Sequence, residues 1–290
     1  MAFSGDRMAT GRRGQIVVRE VTKSYGPNRL ARTVVEKCSF TAEPNCFTVM
    51  IGPSGAGKST LVRLIAGFEK PDSGEILVGG RPVTAPGPDR LVVFQESALF
   101  PWMNTRENVA YGPKARGKTT AEANNSVEFL LDKVGLGAFR SRYPAQLSGG
   151  MQRRAELARA LVNNPEIMIL DEPFRGLDAM TKWLMLEYYA NLSQEMPRTN
   201  FFVTTDIDEA IFLADRLLIM SHKPTRVRAV INVDLPRPRS LAAIVSDDRG
   251  NAVKMEALFL LHEEAMKAFA GGSRAAADFV EAYRRRVEAR

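Results

Sequence analysis

The stretch Phe47-Thr48-Val49-Met50-Ile51-Gly52-Pro53-Ser54-Gly55-Ala56-Gly57-Lys58-Ser59-Thr60 decides the reading of this chain. An apolar run of strand character leads into a glycine, four residues and then Gly-Lys-Ser, and a helical pattern over 59–66 follows. The glycines let backbone N–H groups converge on an anion, and the N-terminus of the following helix adds positive potential. Lys58 can neutralise charge on terminal phosphates, and the Ser59 hydroxyl suits a Mg²⁺ ligand.

Working outward, residues 15–21 alternate like a strand, and 34–41 and 46–51 read as two more, parted by Ala42-Glu43-Pro44-Asn45. A β-rich patch follows at 74–83, then a buried strand at 91–94. From about 96 to 164 the pattern turns helical, with helices expected over 119–134 and 149–163. Strands at 167–170, 201–204 and 216–220 then alternate with helices over 181–195 and 206–214. Alternation of this kind predicts a mainly parallel sheet covered on both faces, with 96–164 inserted into it. Beyond 220 the pattern weakens to a strand at 227–233, an extended Pro236-Arg237-Pro238-Arg239, and two helical patterns between 249 and 290. In the second of these, Ala276, Phe279, Val280, Tyr283 and Val287 share one face.

The 290 residues are 45% hydrophobic and 25% charged, which excludes disorder, collagen-like sequence or a disulfide scaffold as the reading of the whole chain. A net charge of +7 is compatible with a nucleotide, a nucleic acid or a lipid surface and does not choose among them. No run of residues approaches the length needed to cross a bilayer, and the charged start does not read as a signal peptide. Cys38 and Cys46 read as isolated thiols of a reducing compartment, with a disulfide between them the lesser alternative. His222 and His262 stand alone and read as surface or packed side chains.

Two further constellations carry chemistry. Ile167-Met168-Ile169-Leu170 would deliver Asp171 and Glu172 to the end of a buried strand. There Asp171 can hold Mg²⁺ and Glu172 can take a proton from an attacking water. Leu147-Ser148-Gly149-Gly150-Met151-Gln152 opens a long helix, either as a second anion-binding helix end or as an ordinary cap.

Together these motifs resemble the ATP-binding subunit of ABC transporters. Gly52 to Ser59 matches the family's Walker A and Ile167 to Glu172 its Walker B. Leu147 to Gln152 is similar to its LSGGQ-like signature, with Met151 in the variable place. Gln95 in Val93-Phe94-Gln95-Glu96 matches the Q-loop, Gly176-Leu177-Asp178 resembles the D-loop, and Tyr25 sits where the family stacks an aromatic on adenine. The match runs in order over roughly residues 15–222. A finer similarity, to importers of nitrate, sulfonate and taurine type, rests on Leu99-Phe100-Pro101-Trp102-Met103 and on Asp234 to Arg239.

The resemblance implies an α/β P-loop NTPase core with a mainly parallel sheet, an antiparallel β subdomain, an inserted helical subdomain and a helical C-terminal extension. Residues 1–13 would be a leader, 14–222 the ATP-binding domain and 223–290 the extension. ATP would be held by Tyr25, by Gly52, Pro53, Ser54, Gly55, Ala56, Gly57, Lys58, Ser59 and Thr60, and by Asp178 with Ser148, Gly149 and Gly150. Mg²⁺ would be held by Ser59, Gln95 and Asp171, and hydrolysis would use Glu172, Lys58, Gln95 and Thr205. Since the chain has one phosphate loop and one signature, a second ATP-binding subunit is expected, as a head-to-tail homodimer. The resemblance also implies an integral membrane permease docking near 95–103, an external solute-binding protein and a place on the cytoplasmic face of the membrane. No nucleic acid is expected.

One departure bears on activity. The family usually places a γ-phosphate-contacting histidine where this chain has Thr205, which can donate a hydrogen bond but cannot become cationic. Thr205 either serves the site weakly or only caps the next helix. Hydrolysis at a reduced rate is the leading expectation. An ATP-dependent switch with little turnover is the alternative, and a soluble ABC ATPase acting on nucleic acid or ribosomes is the weaker one.

Overall fold

The computed structural model describes residues 12–27, 30–118, 120–240, 247–270 and 280–281. Residues 1–11 of the leader expected over 1–13, and most of the second C-terminal helical pattern, including Ala276, Phe279, Tyr283 and Val287, lie outside the described residues. The chain forms two compact units, 1–85 with 203–290 and 86–202.

The first unit contains a four-stranded antiparallel sheet. β1 (Ile16–Tyr25) runs between β2 (Arg32–Ala42) and β4 (Ser73–Val78), and the two-residue β5 (Arg81–Pro82) forms the edge. The pairing places Ile16 against both Ala42 and Val78, and Tyr25 against Arg32. β1 extends four residues beyond the expected strand, because register shifts after Val18 let pairing with β2 continue. The expected run over 74–83 divides into β4 and β5 at Gly79-Gly80, both at positive φ.

β3 (Phe47–Ile51) is buried throughout and pairs in parallel with β9 (Arg216–Met220), which pairs antiparallel with β10 (Val227–Asn232). α1 (Lys58–Ala66) follows the phosphate loop and buries Leu61, Val62, Leu64 and Ile65. α6 (Ile207–Leu213) precedes β9, and α7 (Asp248–Ala270) packs on α6, β9 and β10. Glu264 of α7, 1% exposed, accepts hydrogen bonds from the His222 backbone N–H at 3.0 Å and from Lys267 Nζ at 2.5 Å. His222 Nδ1 lies 2.9 Å from the same carboxylate, so this histidine is a packed partner of α7. Burial alone would raise the Glu264 pKa, but the bonds from Lys267 and His222 outweigh it and bring it down to about 2.

The segment after β10 returns to α6. Arg239 donates to the carbonyls of Ile211, Phe212 and Ala214, at 2.6–3.2 Å, and to those of Val233 and Leu235. Arg237 pairs with Asp215 at 2.6 Å and stacks over Phe47. Cys38 and Cys46 are both free thiols, and burial pushes Cys38 up to about 12.

In the second unit β6 (Arg90–Val93) pairs in parallel with β7 (Ile167–Asp171), matching Leu91 to Met168 and Val93 to Leu170. Three helices fold beside them: α2 (Thr105–Ala115), α3 (Ala121–Lys133) and α4 (Gly149–Leu161). Asn104 and Glu107 form a reciprocal capping box on α2, and Thr120 caps α3. α5 (Ala179–Glu195) follows β7 and leads to β8 (Thr199–Thr204), whose residues up to Phe202 belong to this unit. Among the described residues no helix is long and apolar enough to cross a membrane.

Candidate nucleotide site

In the first unit the phosphate loop joins the end of β3 to α1. Gly57 is the N-cap of α1 at φ +105, a backbone angle that side chains rarely adopt. A Cβ there would meet Val34 Cγ1 at 2.8 Å and Thr225 Oγ1 at 3.0 Å, so β2 and the segment after β9 close around the loop. Gly52 lies against Met220, the last residue of β9. Lys58 is 5% exposed, and its ammonium donates to the carbonyls of Gly52 at 2.9 Å and Pro53 at 3.0 Å. The cation is therefore folded over its own loop, with Ser59 exposed beside it on the first turn of α1.

Tyr25, 38% exposed, ends β1 with its hydroxyl donating to Glu69. Partial burial, followed by the Glu69 carboxylate, raises its pKa, and the Thr60 side chain bonds to it as well. The structure thus brings Tyr25 to the start of α1. The partner Glu69, just past that helix, has no signal in the sequence, since it lies 44 residues away.

Thr205 is exposed immediately after β8. It does not cap α6. Asp206 is the N-cap and accepts from the N–H groups of Asp208 and Glu209, while Thr204 donates to Glu209 at 2.6 Å. Capping is thus taken by the shorter-range acceptor Asp206, and the Thr205 hydroxyl is left outside that network.

The second unit carries the remaining motif residues. β7 is buried along its whole length and ends on Asp171, itself 9% exposed. Glu172 follows at φ +45 and accepts from Arg175 Nη1 at 3.0 Å. A non-glycine residue in that region costs about 1–3 kcal/mol, and Glu172 shares it with Glu20, Lys37, Asn45 and Asn164. Ser148 caps α4, accepting from Met151 N–H at 3.3 Å. Asp178 caps α5 in the same way, and hydrogen bonds from Thr181 hold its carboxyl below the usual range. These two helix starts are neighbours. A Cβ on Gly149 would lie 3.3 Å from Leu177, and one on Gly150 would lie 3.0 Å from Thr181, so the small residues set the approach of signature and D-loop.

Gln95 is exposed, but its backbone is not loose. Arg153 of α4 donates to the carbonyls of Phe94 at 2.7 Å and Gln95 at 2.6 Å. Further along, Asn108 is fully buried and ties the main chain of Phe100, Met103 and Asn104. Of the apolar residues in this segment Leu99 is core at 9% exposure, whereas Trp102 is 70% exposed and meets Phe100 at 5.5 Å between ring centres. Leu91–Phe94, Ala98, Phe100, Tyr111 and the inner face of α4 line an open cavity of about 350 Å³. Arg153 and Glu156 escape sequence reasoning because the main-chain atoms they hold lie 58–59 residues earlier.

Oxygen donors dominate the expected metal residues: a hydroxyl from Ser59, an amide carbonyl from Gln95 and a carboxylate from Asp171. That set fits a hard divalent cation such as Mg²⁺.

A strand–glycine loop–helix with a lysine folded over it, and a buried strand ending in two carboxylates, define a P-loop nucleotide-binding protein. The ABC transporter family model matches residues 35–175. The nitrate import ATP-binding protein NrtD of Synechococcus elongatus is 41% identical over 245 residues, covering 83% of this chain and 89% of its own. The aliphatic sulfonates import ATP-binding protein SsuB of Bacillus cereus is 40% identical over 225 residues, covering 78% and 88%. A dimeric ATP-binding cassette solved in a post-hydrolysis state with ADP and phosphate is 28% identical, with a TM-score of 0.67, and is matched over its whole length by 76% of this chain. The chain belongs to the ABC transporter family and is an ABC-type ATPase.

Proposed function

We propose that the chain is the ATP-binding and ATP-hydrolysing subunit of an importer for a small solute, an anion of nitrate or sulfonate type. The solute class rests on similarity to the nitrate and sulfonate import proteins. Residues 14–222 serve as the ATP-binding domain and 223–290 as an extension to it. The observation that carries the hydrolytic part is Glu172, a carboxylate held at positive φ directly after the buried end of β7.

In this reading Tyr25 stacks on adenine, and the backbone of the loop from Gly52 to Thr60, with N–H groups from every residue but Pro53, holds the phosphates of ATP together with Lys58. Ser59, Gln95 and Asp171 hold Mg²⁺, which when bound draws charge from the phosphate oxygens. Glu172 takes the proton of the attacking water, and Gln95 orients that water. Ser148, Gly149, Gly150 and Asp178 close over the nucleotide of a second copy, giving a head-to-tail homodimer with two composite sites. The dimeric state of the similar solved cassette supports this arrangement. ATP favours the closed dimer and hydrolysis releases it, so binding energy becomes available to move a partner.

That partner is an integral membrane permease, seated on the cavity beside Phe100 and Tyr111 with the exposed Trp102 at its edge. Solute choice then lies with the permease and an external solute-binding protein, and the chain works at the cytoplasmic face of the membrane. A second reading, an ATP-dependent switch with little turnover, is favoured by the exposed and uncharged Thr205. Phosphate release from Mg-ATP separates the two: the motor reading requires a rate well above that of Glu172→Gln, and equal, low rates favour the switch.

A further inference from the structure

Two charged side chains of α4 are turned inward. Arg153 is 6% exposed and Glu156 is 4% exposed, and Arg153 Nη1 bridges to Glu156 Oε2 at 2.6 Å. The same guanidinium spans two successive carbonyls, those of Phe94 and Gln95, one from each terminal nitrogen. The other oxygen of Glu156 accepts from the Ala98 N–H at 2.5 Å. Three main-chain groups within residues 94–98 therefore end on one buried ion pair. One turn further along α4, Arg159 donates to the Ala98 carbonyl at 2.7 Å and lies over the Phe100 ring.

Taking two charges out of water is costly, and an apolar pair would pack this helix at least as well. What an apolar pair lacks is a fork that fixes consecutive carbonyls and an acceptor for the nearby N–H. A planar guanidinium reaches the two carbonyls from two separate nitrogens while keeping its carboxylate partner, whereas an ammonium directs its three donors from one nitrogen. The segment so held carries Gln95, whose side chain stays exposed.

We propose that Arg153 and Glu156 act as a positioning pair: together they fix the backbone of residues 94–98, and through it the presentation of Gln95 during ATP hydrolysis. The hydrolytic consequence rests on the role assigned to Gln95 above, whereas the holding of the loop stands on its own.

The test uses the full chain and three changes: Arg153→Lys, the double change Arg153→Met with Glu156→Leu, and Gln95→Ala. The double change removes both charges at once, so neither is stranded in the interior. Hydrogen exchange, thermal melting and Mg-ATP hydrolysis are measured on each. The double variant should melt close to the parent and keep α4 protected, while exchange at the Ala98 amide rises by about tenfold or more. Its kcat should fall by about tenfold with KM for ATP nearly unchanged, and Arg153→Lys should fall between it and the parent.

Unchanged exchange at Ala98, or an unchanged kcat where Gln95→Ala lowers it, overturns the pairing while leaving the role of Gln95 intact. If Gln95→Ala hydrolyses like the parent, the role of Gln95 fails and the hydrolytic half of the proposal fails with it. Loss of protection along the whole of α4 with a large drop in melting temperature would show packing alone, and also overturns the proposal.

Discussion

Glu264→Gln should loosen the attachment of α7 in a way that pH reveals. The carboxylate is buried and receives the His222 N–H and the Lys267 ammonium, with the His222 ring at 2.9 Å and Arg228 Nε at 3.6 Å. Burial opposes its charge, yet these donors lower its pKa from the ordinary 4.5 to about 2. At about 1.36 kcal/mol per pKa unit, the displacement is worth about 3 kcal/mol of folding stability. Because the folded-state pKa is depressed, that stability is fully present above about pH 4.5 and is lost as pH falls towards 2. The glutamine variant keeps the shape and loses the charge. It should be about 3 kcal/mol less stable at pH 7, a melting shift of about 6–12 °C at roughly 2–4 °C per kcal/mol. By pH 3 the deficit should shrink to about half. Urea titrations of both proteins at pH 7, 5, 4 and 3 read the two curves directly. A deficit that stays constant across that range, or none at pH 7, refutes the reasoning.

Lys58→Ala should abolish hydrolysis, since it removes the buried cation that the phosphate loop encloses; unchanged phosphate release would contradict the assignment of the loop. Gly57→Ala forces a side chain into the left-handed region at a cost of about 1–2 kcal/mol and against Val34 at 2.8 Å, so affinity for ATP should fall by about tenfold or more in a nucleotide titration. Thr205→His should raise hydrolysis in the assembled complex by restoring a group able to carry charge. A rate at or below the parent's would mean the site has been rebuilt around threonine.

Local signals in the chain were readable where spacing alone specifies geometry. The loop from Gly52 to Thr60, the buried run ending at Asp171 and the Ser148 helix start each need only a few adjacent residues, and each stands on the expected element. Boundaries were less legible. β1 continues to Tyr25 through register shifts that depend on its partner strand. That Asp206 rather than Thr205 caps α6 turns on backbone angles that adjacent polar residues do not reveal. Least legible were side chains whose partners are distant backbone atoms. Arg153 reaches back 59 residues to Phe94, and His222 meets Glu264 42 residues on. Neither residue belongs to a periodic pattern, and burying a charge runs against the usual expectation for its type.

The guanidinium of Arg239 also changes where this cassette can be cut. The residues proposed to hold the nucleotide lie before residue 223, which invites trimming there. Yet the last carbonyls of α6 are closed by an arginine supplied from beyond β10, and burial draws that guanidinium down to about 10. A seven-residue helix has few bonds of its own to spare. A minimal autonomous fragment must therefore extend through Arg239, and one ending at β9 would expose the frayed end of the helix that follows Thr205.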